Sequence, residues 1–168
     1  MIWIFLACGS SATDTAFLPT DPYIIDVSTW QPGNYTTDPL QDHQPEEIDC
    51  NLTSYRVEGS QFEVQTDFCN YAHVEFLATQ FIPKGQQVEV LILHSGLWAP
   101  EPATAHVALL IGDYVFFDKS SDIPASPEFF YHKEAIPFDI HQGDPIFFHI
   151  HNHGANDWKL GYFKLVID

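Results

Sequence analysis

Basic side chains are scarce in this chain: Lys and Arg together number 6 among 168 residues, against 23 Asp and Glu, for a formal net charge of −17. The imbalance comes from few bases rather than many acids, since charged residues make up only 17% of the chain. Such a surface repels phosphate backbones and anionic headgroups, which argues against a nucleic-acid partner and leaves neutral, cationic or metal-bearing ones. Long apolar runs are missing too. A membrane-spanning helix needs about 20 apolar residues, and the N-terminal apolar stretch stops at Cys8. No Gly-x-Ser-x-Gly elbow occurs, so a serine hydrolase of that design has no support. A phosphate-cradling glycine motif is likewise absent, which leaves nucleotide chemistry without a basis.

Cysteine is sparse, with three residues at 8, 50 and 69. Met1 to Ala7 is apolar, and Cys8 is followed by Gly-Ser-Ser. Phe5-Leu6-Ala7-Cys8 resembles a lipobox, the end of a bacterial lipoprotein signal peptide. That resemblance implies cleavage before Cys8, acylation of its sulfur and a membrane contact through the lipid anchor only. The match is partial: an aromatic holds the first position and no basic n-region precedes it. A stray apolar N-terminus around a free thiol is the plainer alternative. Setting Cys8 aside leaves Cys50 and Cys69 as an even pair, which in an exported chain most simply forms one disulfide. Both signals point to an extracytoplasmic protein, in the periplasm or at the cell surface.

Residues 9–53 carry five prolines at 19, 22, 32, 39 and 45 among scattered acids, and no Lys or Arg precedes Arg56. This composition predicts an extended acidic tether with one short strand around Tyr23 to Val27. From residue 54 to 168 the character changes to apolar runs of strand length separated by Gly, Pro and Asp turns, with no sustained helical period. Strands are expected near residues 60–66, 73–81, 87–94, 105–111, 114–118, 129–138, 144–151 and 158–167. About eight such strands predict an all-β domain, an antiparallel β-sandwich. The Lys84-Gly85 turn before a strand, the following hairpin and the Gly143-Asp144 turn before the penultimate strand resemble a jelly roll of the galactose-binding-like kind. That resemblance covers roughly the last 100 residues and implies a jelly-roll sandwich, with a carbohydrate-like ligand by analogy.

If successive strands reverse direction, their connections alternate between the two ends of the sandwich. The links at residues 95–104, 119–128 and 152–157 then share one end, and the tight turns at 82–86, 112–113 and 139–143 share the other. Long loops on a rigid frame usually carry function, so the first end draws attention. It holds Trp98 and Glu101 in a Pro-stiffened loop, and Asn156, Asp157 and Trp158 in the facing turn. Aromatic faces stack on sugar rings while amides and carboxylates bond hydroxyls, so these five suit a carbohydrate or another small polar ligand. Non-catalytic binding there is the leading expectation.

The strand Ile146 to His151 supplies a second candidate. Ile146, Phe148 and Ile150 share one face, and His149, His151 and, by extension, His153 the other. His94 and His106 flank the 95–104 link. His94, His106, His151 and His153 converging on one point would hold Zn²⁺ or Cu²⁺, with a carboxylate nearby and catalysis then open. The alternative is ordinary polar surface and hydrogen-bonded core histidines. His43, His73, His132 and His141 lack partner spacing and read as surface. A third class is a structural or adhesive envelope protein that meets a protein partner: Tyr114 to Phe117 and Phe129 to Tyr131 are aromatic on both faces, so those strands are either doubly covered or expose a patch.

Overall fold

The computed structural model describes residues 21–167. The lipobox-like stretch and Cys8 lie outside them, as does the side chain of His43. Among the described residues there are ten strands: β1 (Gln31–Pro32), β2 (Tyr55–Glu58), β3 (Gln61–Gln65), β4 (Tyr71–Leu77), β5 (Gln87–His94), β6 (Ala103–Ile111), β7 (Tyr114–Ile123), β8 (Glu128–Ala135), β9 (Pro145–Asn152) and β10 (Asp157–Leu165). They form two antiparallel sheets. Sheet I runs β1-β4-β9-β6-β7 and sheet II runs β2-β3-β10-β5-β8. The last eight strands pair in a nested way: β6 with β7, β5 with β8, β4 with β9 and β3 with β10. That is one long hairpin folded over on itself, the topology of a jelly roll.

The sequence pattern explains the inner faces. In β5, Val88, Val90, Ile92 and His94 alternate inward. Across the sandwich, Phe62 meets Phe76 edge-on at 5.3 Å and Phe148 at 6.5 Å, and Trp158 and Phe163 are fully buried. Burying each such aromatic contributes on the order of 2–3 kcal/mol. Central β9 is buried on both faces, because Phe147 and His149 on its outer side are buried along with Ile146 and Phe148 within.

The covering comes from the N-terminal segment, which differs from the expected tether. Ile24 and Ile25 are buried, and Ile24 links the two sheets through its amide to Phe163 O (3.0 Å) and its carbonyl to the Thr79 amide (2.8 Å). Trp30 packs on Tyr55 and Phe62 at 5.0 and 5.3 Å. β1 then pairs with the edge of β4, and residues 33–49 lie across the outer face of sheet I. Leu40 packs there on Ala108, Leu110 and Phe147. Prolines do not prevent this packing, because the segment satisfies its backbone with short 3₁₀ turns rather than ladders. Asp26, Asn34 and Asn51 each cap such a turn by accepting from the amide two residues on. We call residues 33–49 the strap.

A Cys50–Cys69 disulfide, with a sequence separation of 19, ties the end of the strap to the link between β3 and β4. Closing a loop of that length in the unfolded chain is worth about 3 kcal/mol. Replacing both cysteines with Ala should therefore lower the unfolding free energy in urea by about 3 kcal/mol. An unchanged midpoint would mean that the unfolded chain is already constrained there.

Candidate functional site

The three long links do meet at one end. Leu97 bridges Ala125, Trp98 bridges Ala155, and the His153 amide donates to Thr104 O at 3.1 Å. The five residues expected to bind a ligand there separate by role. Trp98 is 61% exposed, and Glu101 in the same loop is exposed. Asn156 takes a left-handed conformation (φ 101°) and its side-chain amide donates to Gly96 O at 2.6 Å, so it shapes the turn. Asp157 is buried and pairs with Lys159 at 3.3 Å. Trp158 is core: it is fully buried, 4.6 Å from the His94 ring and 6.0 Å from Phe130. Beside Trp98's loop, Pro102, Thr104, Asp122 and His153 line an open groove.

The four expected metal ligands do not converge. His94 points into the core from sheet II, where Nδ1 contacts Ser95 O at 2.6 Å. His106 and His151 face each other in register on the outer side of sheet I, with the exposed His153 ring 4.4 Å from His151. His94 fails because alternation from the buried Ile92 directs it inward, onto the opposite sheet. His106 Nε2 is held instead by Asp118 at 2.7 Å.

A different cluster forms beneath the strap. Asp38 descends onto sheet I and meets Tyr71 and His73 from β4 and His149 from β9. Its Oδ2 accepts from the Tyr71 hydroxyl at 2.6 Å and lies 3.1 Å from His149 Nδ1 and 3.4 Å from His73 Nδ1. Its Oδ1 accepts the Leu40 amide at 2.8 Å. The side chains of Asp38, His73 and His149 are wholly buried. Burial pushes the Asp38 carboxyl up, but the bonds from His149, Tyr71 and the Leu40 amide outweigh it and hold the group at about 2. Burial pushes His73 down despite the nearby Asp38 carboxylate. His73 is therefore not the surface residue its isolated spacing suggested. The sequence carried half of this signal: Tyr71-Ala-His73 and Phe147-Phe-His149 each place a polar ring on the outer face. Asp38 sits in what reads as a tether, and only the packed strap shows that it belongs with them.

The outer face of sheet II is open. In register across it lie Arg56, Glu63, Lys159, Leu93 and Phe129, then Tyr162, Leu91 and Tyr131, then Lys164, Glu89 and Lys133. Phe129 and Tyr131 are 70% and 62% exposed. The Tyr162 hydroxyl bonds that of Tyr131, and Lys164 Nζ sits 4.5 Å from the Tyr162 ring centroid. Four of the chain's six basic residues, Arg56, Lys133, Lys159 and Lys164, occupy this face. Carboxylates balance them: Lys159 contacts Glu63 at 2.8 Å, Asp157 at 3.3 Å and Glu58 at 3.5 Å, and Lys164 contacts Glu89 at 3.2 Å. The Glu63 hydrogen bond raises Lys159 further above its ordinary value, against partial burial. The result is a charge-balanced, aromatic face on an otherwise acidic molecule.

No family model matches the chain. No curated protein matches it either. Solved structures do. One, described as "CBM4 structure and function", is 12% identical with a TM-score of 0.43 and covers 88% of this chain and 96% of its own. A structure of TmCBM61 in complex with beta-1,4-galactotriose is 15% identical with a TM-score of 0.34, covering 85% and 91%. A structure of PfGH50B is 11% identical with a TM-score of 0.38, covering 75% of this chain and 23% of that one. Superpositions this loose do not bear on the ligand.

Gly33 tests the seat of the strap. A Cβ added there would lie 2.2 Å from His73 Cδ2, in a site closed by the Gly33 amide bond to His73 O at 2.8 Å. Gly33→Ala should cost about 1–3 kcal/mol, read as a lower urea midpoint. A wild-type midpoint would show that the strap does not rest on His73.

Proposed function

We propose that this protein is a non-catalytic binding module whose ligand is a neutral carbohydrate, held on the outer face of sheet II by Phe129, Tyr131 and Tyr162. The observation that carries the reading is the exposure of Phe129 and Tyr131 on a strand whose alternate residue, Phe130, already supplies the core contact. Large aromatics left in water on one sheet face mark a contact surface. Flat rings stack on the apolar faces of sugars, while the lysines and carboxylates around them bond hydroxyls. The face repels neither sign strongly, which suits an uncharged polyhydroxyl ligand better than a polyanion. Its ion pairs also favour binding over proton transfer, because Glu63 and Glu89 on this face are engaged by lysines.

The loop end offers a second reading. Trp98 is 61% exposed next to the groove of Pro102, Thr104, Asp122 and His153, with Glu101 in the same loop. An exposed Trp at the same end as a polar groove also suits a sugar. For location, the Cys50–Cys69 disulfide supports an oxidising, extracytoplasmic compartment. The lipobox-like Phe5 to Cys8 supports a lipid anchor there.

Affinity electrophoresis and calorimetry against a panel of soluble neutral and acidic polysaccharides test the reading. Wild type should bind a neutral member, and Tyr131→Ala and Phe129→Ala should each weaken it at least about tenfold, or about 1.4 kcal/mol, while Trp98→Ala leaves it intact. The reverse pattern would move the site to the loop end. Binding of acidic members alone would overturn the neutral ligand.

A further inference from the structure

We infer that Asp38, His73 and His149 form a binding site for a divalent transition ion of the zinc class, which latches the strap onto sheet I. This site is separate from the open face of sheet II and does not depend on what binds there. Three observations converge on it.

One is the donor set. Two imidazoles and a carboxylate, their side chains wholly buried, are ordinary ligands for Zn²⁺. The second is spacing. Asp38 Oδ2 lies 3.1 Å from His149 Nδ1, in a hydrogen bond whose proton the ion would replace, and 3.4 Å from His73 Nδ1, and one donor atom from each residue falls within 4.8 Å of the others. Ligands about 2.0–2.1 Å from a tetrahedral ion are about 3.3 Å apart, so these separations match the edges of a zinc coordination tetrahedron. The third is His73 itself. Its ring is buried, stacked at 4.7 Å on Phe147, and neither nitrogen makes a hydrogen bond among the described residues. A buried imidazole is usually satisfied at one nitrogen at least. Its Nδ1 lies 3.4 Å from the Asp38 carboxylate without hydrogen-bonding to it, and a shared cation between the two accounts for both facts.

The neighbours fit supporting parts. The Tyr71 hydroxyl, 2.6 Å from Asp38 Oδ2, and the Leu40 amide, 2.8 Å from Oδ1, fix the carboxylate's orientation, the usual work of groups behind a metal ligand. The ligands come from three places, β4, β9 and the strap. An ion held there joins a segment with few apolar anchors to the two strands beneath it.

The test uses the whole chain, purified without a His tag, stripped with a chelator, loaded with Zn²⁺ and freed of excess ion before elemental analysis. About one zinc per chain is expected, with a higher thermal midpoint than the stripped protein. His73→Gln and His149→Gln should reduce zinc to background, and His141→Gln and His153→Gln should leave it unchanged. Retention of zinc by a folded His73→Gln or His149→Gln protein, or uptake by wild type far below one per chain, would overturn the site. Should those variants fail to fold, ¹⁵N spectra of the wild-type histidines during Zn²⁺ titration decide. Saturating shifts of the His73 and His149 Nδ1 resonances support the site, and unchanged resonances overturn it.

Discussion

The Asp38 carboxylate is the contact on which the rest of the N-terminal half depends. Taking an ionised group out of water costs several kcal/mol unless it is fully bonded, and Asp38 reaches that state only where Tyr71, His149 and the Leu40 amide converge. That requirement fixes the strap's register. A shift by one residue would bury a proline or a threonine over the imidazoles and leave the acid in solvent. Once Asp38 is seated, Leu40 follows onto Ala108, Leu110 and Phe147, and the outer face of sheet I closes. Phe147 and His149 can then be buried on the outer side of β9 without exposing aromatic surface to water.

Covering one sheet also determines which surface is left for function. Sheet I is shielded by the strap and sheet II is bare, so the exposed rings of Phe129 and Tyr131 lie on the face that nothing in the described chain occupies. The charge distribution divides the same way. Most of the basic residues sit on sheet II beside carboxylates that neutralise them, and Asp26, Asp42, Glu46, Glu47 and Asp49 lie on the N-terminal segment and the strap. An overall charge of −17 therefore says little about the ligand, because the open face is close to balanced.

The sandwich was legible because alternation is a local signal. Val88, Val90 and Ile92 declare an inward face without reference to any neighbour, and Gly112 and Gly143, both at positive φ, mark turns. Reversal at each turn is why the three long links meet at one end, whereas the nested pairing of eight strands is a tertiary feature that reversal alone does not specify. The side of a residue was harder to read where two faces are both buried. Trp158 next to Asn156 looks like a binding-loop aromatic, and only the pairing of β10 with β5 shows that it plugs the core against His94. His94 looks like a companion to His106 across a loop, but the loop crosses from one sheet to the other, so the two rings face different layers. The strap was illegible for another reason. Its anchors, Ile24, Ile25, Trp30, Asp38 and Leu40, have no period, and its prolines and acids give the composition of an unpacked spacer. What identifies it is tertiary: Asp38 has partners more than 30 residues away in Tyr71 and 111 away in His149.

Amide hydrogen exchange by NMR on the intact chain measures that constraint most directly. The Leu40 amide bonds Asp38 Oδ1 and the Gly33 amide bonds His73 O, each at 2.8 Å. If the strap is seated, both should exchange slowly, in the range of the paired amides of β4. Exchange of both at the rate of an unstructured peptide, with β9 still protected, would show residues 33–49 to be a free tether and contradict the structural role assigned to Asp38.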